Sequence, residues 1–267
     1  MKLSIATTAD EPRSLIVGAG DAARAIVYCT TPGREPESIG LFWLSGFMSD
    51  MSGTKATAVA AWAAERGLAA TRFDYSGHGV SGGRFTDGTI GRWLEEAQAM
   101  LTRTTAGPQI VIGSSMGGHI ALLLLRRLLR DAPGEAARIR ALVLVAPAWD
   151  MTEELMWKRF SDDVRREIAD KGYFERPSRY AAPYTITRKL IEDGRSHLMA
   201  RQPFDPGRPL VIIQGLQDPD VPATHTRELT TFLTGGHVKL IEIADAEHSL
   251  SRPQDIAVLF SEIDKLI

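Results

Sequence analysis

The chain has 267 residues, 44% of them hydrophobic and 24% charged, the balance of an ordinary globular protein with material for a large core. That composition excludes a disordered chain, a collagen-like repeat and a membrane protein. A formal net charge of −2 provides no field that would draw it to nucleic acid or an anionic membrane, so neither is expected as a partner. The single cysteine, Cys29, allows no intramolecular disulfide and fits a reducing compartment. Met1 to Ala6 turns polar too early for the apolar stretch of a signal peptide, and no run reaches transmembrane length. The expectation is a cytoplasmic protein without membrane insertion.

Residues up to Cys29 read as an antiparallel lead-in, in which Cys29 is a buried strand thiol. Gly18-Ala19-Gly20 is a hairpin turn rather than a dinucleotide fingerprint, because Ala23 stands where the third glycine should be. Ile39 to Leu44 is a buried strand, Thr54 to Arg66 a helix stopped by Gly67, and Ala70 to Tyr75 a strand running into the glycine-rich Ser76 to Gly83. Ile90 to about Thr104 is a helix. Gln109 to Ile112 is a strand, followed by Gly113-Ser114-Ser115-Met116-Gly117-Gly118 and a helix from His119 to Arg130. Ala141 to Val145, Leu210 to Gln214 and Val238 to Ile243 are further strands, and a helix from about Pro253 to Ile267 closes the chain.

This alternation predicts an α/β protein with a mostly parallel central sheet flanked by helices. Between Pro147 and Pro209 the rhythm stops for about sixty residues, too many for a structureless loop in a compact domain. They read as helices and turns with scattered aromatics. We therefore expect a core of residues 1–148 and 206–267, with 149–205 as an inserted helical lid.

Gly113-Ser114-Ser115-Met116-Gly117 satisfies G-x-S-x-G in the strand–turn–helix context that gives the pattern its meaning. Ser115, at the central position, is the candidate nucleophile. A serine hydroxyl needs a base, and in this arrangement the chain order is nucleophile, acid, histidine. His225 sits among helix-forming residues and His237 precedes the last strand, at the wrong edge of a parallel sheet. His248 follows that strand, where a loop leaves the carboxyl edge, and is the candidate base. Asp218, in the loop after the Leu210 to Gln214 strand, is the candidate acid, with Asp150 in reserve; Asp220, beside proline, reads as a turn former. The backbone amides of Phe47 and Met116 are placed to stabilise an oxyanion. Trp149, Met151, Met156 and Trp157, with Tyr173 and Phe174, either line a substrate pocket or pack the insertion onto the core. No zinc-type spacing or complete nucleotide fingerprint occurs, so neither a metal nor another cofactor is expected.

Arg72 to Ser81 resembles the D-x-x-G-x-G-x-S turn of α/β hydrolases, and Gly215 to Pro222 their G-x-x-D-x-x-V-P acid loop. Gly46 to Ala56, with Lys171-Gly172 and Pro177-Ser178-Arg179-Tyr180 in the insertion, is similar to the mitochondrial palmitoyl-protein thioesterase and acyl-glucuronide esterase family of animals. The resemblance implies the α/β-hydrolase fold, a triad of Ser115, Asp218 and His248, and hydrolysis of acyl esters or thioesters. Ser45 stands before Gly46 where many esterases carry histidine, and no Arg-rich segment precedes the domain, so mitochondrial import is not expected. A carbon–carbon hydrolase or perhydrolase on the same triad, and a ligand-binding module without turnover, stay open as alternatives.

Overall fold

The computed structural model describes residues 11–35, 38–176 and 183–267. Met1 to Ala6 and Pro177 to Tyr180, both used above, lie outside the described residues. Eight strands form one sheet: β1 (Arg13–Val17), β2 (Arg24–Thr31), β3 (Gly40–Leu44), β4 (Ala69–Phe73), β5 (Gln109–Ser114), β6 (Ile139–Val145), β9 (Leu210–Gly215) and β10 (Val238–Ile243). Their order is β1-β2-β4-β3-β5-β6-β9-β10. β2 runs antiparallel to both β1 and β4, and all other neighbours are parallel. The lead-in and its hairpin turn are thus as expected, with Gly18 and Gly20 at φ of +82° and +55°.

The central strands β3, β5 and β9 are buried at every position, as a parallel sheet covered on both faces requires. Alternate residues feed two cores. Leu41, Trp43, Ile110, Ile112 and Val143 meet α1 (Thr54–Arg66) and α8 (Pro253–Asp264) on one face. Phe42, Leu44, Val111, Leu142 and Leu144 meet α2 (Ile90–Thr104) and α3 (Met116–Asp131) on the other.

Some boundaries differ from those read in the sequence. β4 stops at Phe73, freeing Asp74 and Tyr75 for the following turn. α3 begins at Met116 rather than His119, because the chain bends sharply at Ser115 and becomes helical at once. The short helix α4 (Pro133–Arg138), with proline in its first turn, leads into β6, and α7 (Ala223–Phe232) carries His225.

The segment between β6 and β9 has structure of its own, but it is not all helical. A π-type turn at Thr152–Met156 and a 3-10 turn at Trp157–Arg159 lead to α5 (Asp162–Lys171), and α6 (Arg188–Arg195) follows later. Between these helices β7 (Tyr173–Arg176) pairs antiparallel with β8 (Tyr184–Thr187). The β-branched and aromatic residues of both strands suit a pleated pair, and Thr185 Oγ1 donates across it to Glu175 Oε1 at 2.6 Å.

Trp149 anchors the start of this segment. It is fully buried and stacks on the His225 ring, with centroids 4.4 Å apart. Its Nε1–H donates to the His225 carbonyl at 2.8 Å, and His225 Nε2 returns the bond to the Trp149 carbonyl at 2.9 Å. Burial pulls the His225 imidazole down to about 4. Its folded-state value therefore lies below the unfolded one, so it adds stability at neutral pH that is lost as pH falls from the ordinary histidine range toward 4. The loss is on the order of 1 kcal/mol per pH unit within that window. Urea unfolding at pH 6 and pH 5 should show His225→Gln losing less stability on acidification than the parent by about that amount; equal losses would contradict this reading.

Candidate active site

The bend between β5 and α3 is built from its glycines. Ser115 has φ 54° and ψ −116°, a strained conformation for a residue with a side chain. A Cβ on Gly117 would run into the Leu44 carbonyl, and one on Gly113 into the Gly117 carbonyl, so only glycine allows the strand and helix to approach this closely. The Ser115 amide donates to the Val145 carbonyl at 2.8 Å, while its own carbonyl accepts from Gly118 and Ala148 at 2.9 and 3.1 Å. Those bonds hold the serine oxygen at the carboxyl edge of the sheet, beside the N-terminus of a 16-residue helix.

His248 reaches the same point from the loop after β10. Its Nδ1 lies 2.7 Å from Asp218 Oδ2 and its Nε2 3.1 Å from Ser115 Oγ. An ionised carboxylate can only accept, so Nδ1 carries the proton and Nε2 is left to accept from the serine hydroxyl.

Asp218 is itself positioned by its surroundings. Oδ1 accepts from the amides of Asp220 and Val221 at 2.9 and 2.8 Å, which makes Asp220 part of the turn. The fully buried Gln214, near the end of β9, donates to Asp218 Oδ2 at 3.3 Å and to the Val221 carbonyl at 3.0 Å, and is held by Thr226 Oγ1 at 2.6 Å. Asp150, the reserve acid, does not meet His248. It is buried, with burial raising its carboxyl, and clasps the amides of Met199 and Ala200 at 2.6 and 2.9 Å.

Gly46 lies against the nucleophile: a Cβ there would stand 3.3 Å from Ser115 Cβ. The peptide that follows carries the Phe47 amide, and the Met116 amide stands at the start of α3, directly after the serine. Among the described residues neither amide has a protein acceptor. The loop is fixed by Asp74, a role that reading the turn motif did not supply. Asp74 Oδ1 accepts from Met51 N at 2.6 Å and Oδ2 from Val80 N at 2.9 Å, while Arg72 Nη1 donates to the Met51 carbonyl at 2.6 Å. Gly79 is required because a Cβ would collide with the Asp74 carboxylate, and Ser81 Oγ donates to the Asp74 carbonyl at 2.6 Å. Asp74→Ala would leave two amides short of an acceptor and free the loop that carries the Phe47 amide. Chemical denaturation should show a loss of about 2–4 kcal/mol, and steady-state kinetics a fall in kcat of ~10²-fold; an unchanged kcat would separate this loop from the chemistry.

The Phe47 ring meets Phe85, Trp93 and Tyr184 edge-on, with centroids 5.1, 5.9 and 5.6 Å away. Tyr184 belongs to β8, so the segment between β6 and β9 rests on this loop. A cavity of about 210 Å³ opens on Ser115 and His248, with Trp43, Phe47, Asp50 and Lys55 among its walls. None of Trp149, Met151, Met156 and Trp157 lines it. The first three are buried in the core, and the Trp157 ring is met by the guanidinium groups of Arg165 and Arg195, 5.6 and 4.9 Å from its centroid. Tyr173 is exposed and Phe174 packs on Phe160. Asp218, Asp220 and His248 also bring three possible ligand atoms within 4.8 Å of one another. No helix among the described residues is long and apolar enough to cross a membrane.

A sharp strand-to-helix turn bearing a serine, with a histidine and an aspartate arriving from later strand ends of a mostly parallel sheet, defines a hydrolase of the α/β-hydrolase fold. A profile of the family described as serine aminopeptidase, S33, matches residues 41–190, more than half of the chain, and the chain belongs to that family. It is also similar to the mitochondrial palmitoyl-protein thioesterase ABHD10 of Homo sapiens, 28% identical over 244 residues that cover 91% of this chain and 76% of the relative. Among solved structures it is similar to a putative hydrolase from Agrobacterium vitis S4, at TM-score 0.93 and 43% identity, covering 97% of this chain and 99% of that one. Alpha/beta hydrolase domain-containing protein 10 from mouse superposes at TM-score 0.80 with 26% identity, covering 95% and 98% of the two chains.

Proposed function

We propose that the protein is a serine esterase or thioesterase that hydrolyses acyl esters and thioesters through a covalent acyl-enzyme. The observation that carries this reading is His248, whose Nδ1 lies within hydrogen-bond reach of Asp218 and whose Nε2 lies within reach of Ser115, the geometry a general base requires. As Ser115 Oγ attacks the substrate carbonyl, His248 Nε2 takes its proton and Asp218 stabilises the imidazolium. The amides of Phe47 and Met116 donate to the developing oxyanion, compensating its charge in a site already organised for it. Collapse breaks the bond to the leaving group, and the imidazolium protonates the departing alcohol or thiol. Water, deprotonated by His248, then attacks the acyl-enzyme and releases the acid and Ser115.

The route needs no metal or other cofactor. In this reading the inserted segment is the lid, resting on the oxyanion loop through Tyr184 and Phe47, and the substrate is a small-molecule or protein-borne acyl group. With one cysteine in the chain, the setting we infer is the cytoplasm. Likeness to a palmitoyl-protein thioesterase supports a thioester among the substrates. A series of acyl chains with paired oxygen and sulfur leaving groups tests the reading. Turnover of both pairs, with acid as the product, is expected; cleavage confined to diketones or acid-dependent perhydrolysis would overturn it.

A further inference from the structure

Lys55 breaks a local rule. It is the second residue of α1, where the helix dipole and unsatisfied amides disfavour a cation, and that first turn contains no acidic residue to offset it. What holds the side chain lies on the other side of the molecule in sequence. Its Nζ donates to the Ser249 carbonyl and, at 3.3 Å, to Ser251 Oγ.

Those acceptors belong to the loop that carries His248. Its incoming limb is fastened to the acid loop, where Gln217 N donates to the Ala246 carbonyl at 2.9 Å. Its far end is fastened by Arg252, which spans Asp245 and Asp255 at 2.8 Å each. The stretch between, just after the histidine, turns through Leu250 at φ 44° and leans on α1 through Lys55. Ser251 Oγ donates to the same Ser249 carbonyl at 2.8 Å, so the lysine sits at the node of that turn. It also lines the cavity that opens on Ser115 and His248. Burial draws its ammonium down to about 8 against the pull of Asp255.

We propose that Lys55 is a positioning residue for His248: by holding Ser249 and Ser251 against the first turn of α1, it keeps the imidazole within reach of Ser115. The inference rests on His248 being the base. The contact it protects is a single hydrogen bond of 3.1 Å, and misplacing a reacting group by about 1 Å can cost ~10²-fold in rate.

The test compares Lys55→Met, which keeps most of the unbranched stem and removes the donors, with Lys55→Arg, which restores them. Steady-state kinetics on one ester, the rate of fluorophosphonate labelling and the melting midpoint are read for each. Lys55→Met should lose about 10-fold in kcat and label correspondingly slowly with KM within about twofold, and Lys55→Arg should recover most of the loss at a similar midpoint. A Lys55→Met enzyme with near-parental kcat would overturn the proposal. So would a loss confined to KM, which would mark a substrate-binding lysine, or an arginine variant as slow as the methionine one. A parent protein that neither labels nor turns over would instead remove the serine-hydrolase reading on which the proposal stands.

Discussion

Replacing Ser115 with alanine is expected to abolish measurable ester and thioester hydrolysis, a fall on the order of 10⁶-fold in kcat. The magnitude follows from the covalent step: without Oγ there is no acyl-enzyme, and what remains is the modest effect of the oxyanion amides and of substrate binding. The turn should survive, because its geometry is held by backbone bonds from Ser115 to Val145, Gly118 and Ala148 and by the glycines around it, none of which uses the hydroxyl. Kinetics alongside a thermal melt check both halves. A folded Ser115→Ala protein with more than about one-hundredth of the parental rate would mean that another group does the chemistry.

Asp218→Asn should cost ~10⁴-fold in kcat, with a loss of about 1 kcal/mol in stability because Gln214 Nε2, which now donates to Oδ2, would lose that acceptor. The substitution is nearly isosteric, and its oxygen can still accept from the amides of Asp220 and Val221, as Oδ1 does now. Its amide nitrogen would face His248 Nδ1, where the carboxylate now accepts at 2.7 Å. Nδ1 would then become the acceptor, the ring proton would move to Nε2, and Nε2 could no longer take the serine proton. Kinetics on a short-chain ester, with urea unfolding as the control, checks this. A rate within tenfold of the parent would show that Asp218 does not set the tautomer.

Ser115, His248 and Asp218 were legible because a parallel α/β sheet gathers strand ends at one edge, and each residue follows a recognisable apolar run in the order nucleophile, acid, base. Asp150 follows such a run too, and only its clasp on Met199 and Ala200 takes it out of contention. Less legible was what holds the site in place. Asp74 stood in a motif that could be read, but its bond to Met51 spans 23 residues, and Lys55 likewise acts on a loop remote in sequence, 194 residues away. Trp149 shows the same limit for packing, since its partner His225 is 76 residues away. The β7–β8 pair went unread because two four-residue strands with aromatic and β-branched residues carry too little periodicity to stand out.

The most direct test of a nucleophilic Ser115 is covalent labelling of the full-length protein with a fluorophosphonate, followed by mass mapping of the modified peptide. The expected result is one adduct, on Ser115, absent from Ser115→Ala and formed far more slowly in His248→Ala. A folded protein that takes no label, or an adduct on any other residue, would contradict it.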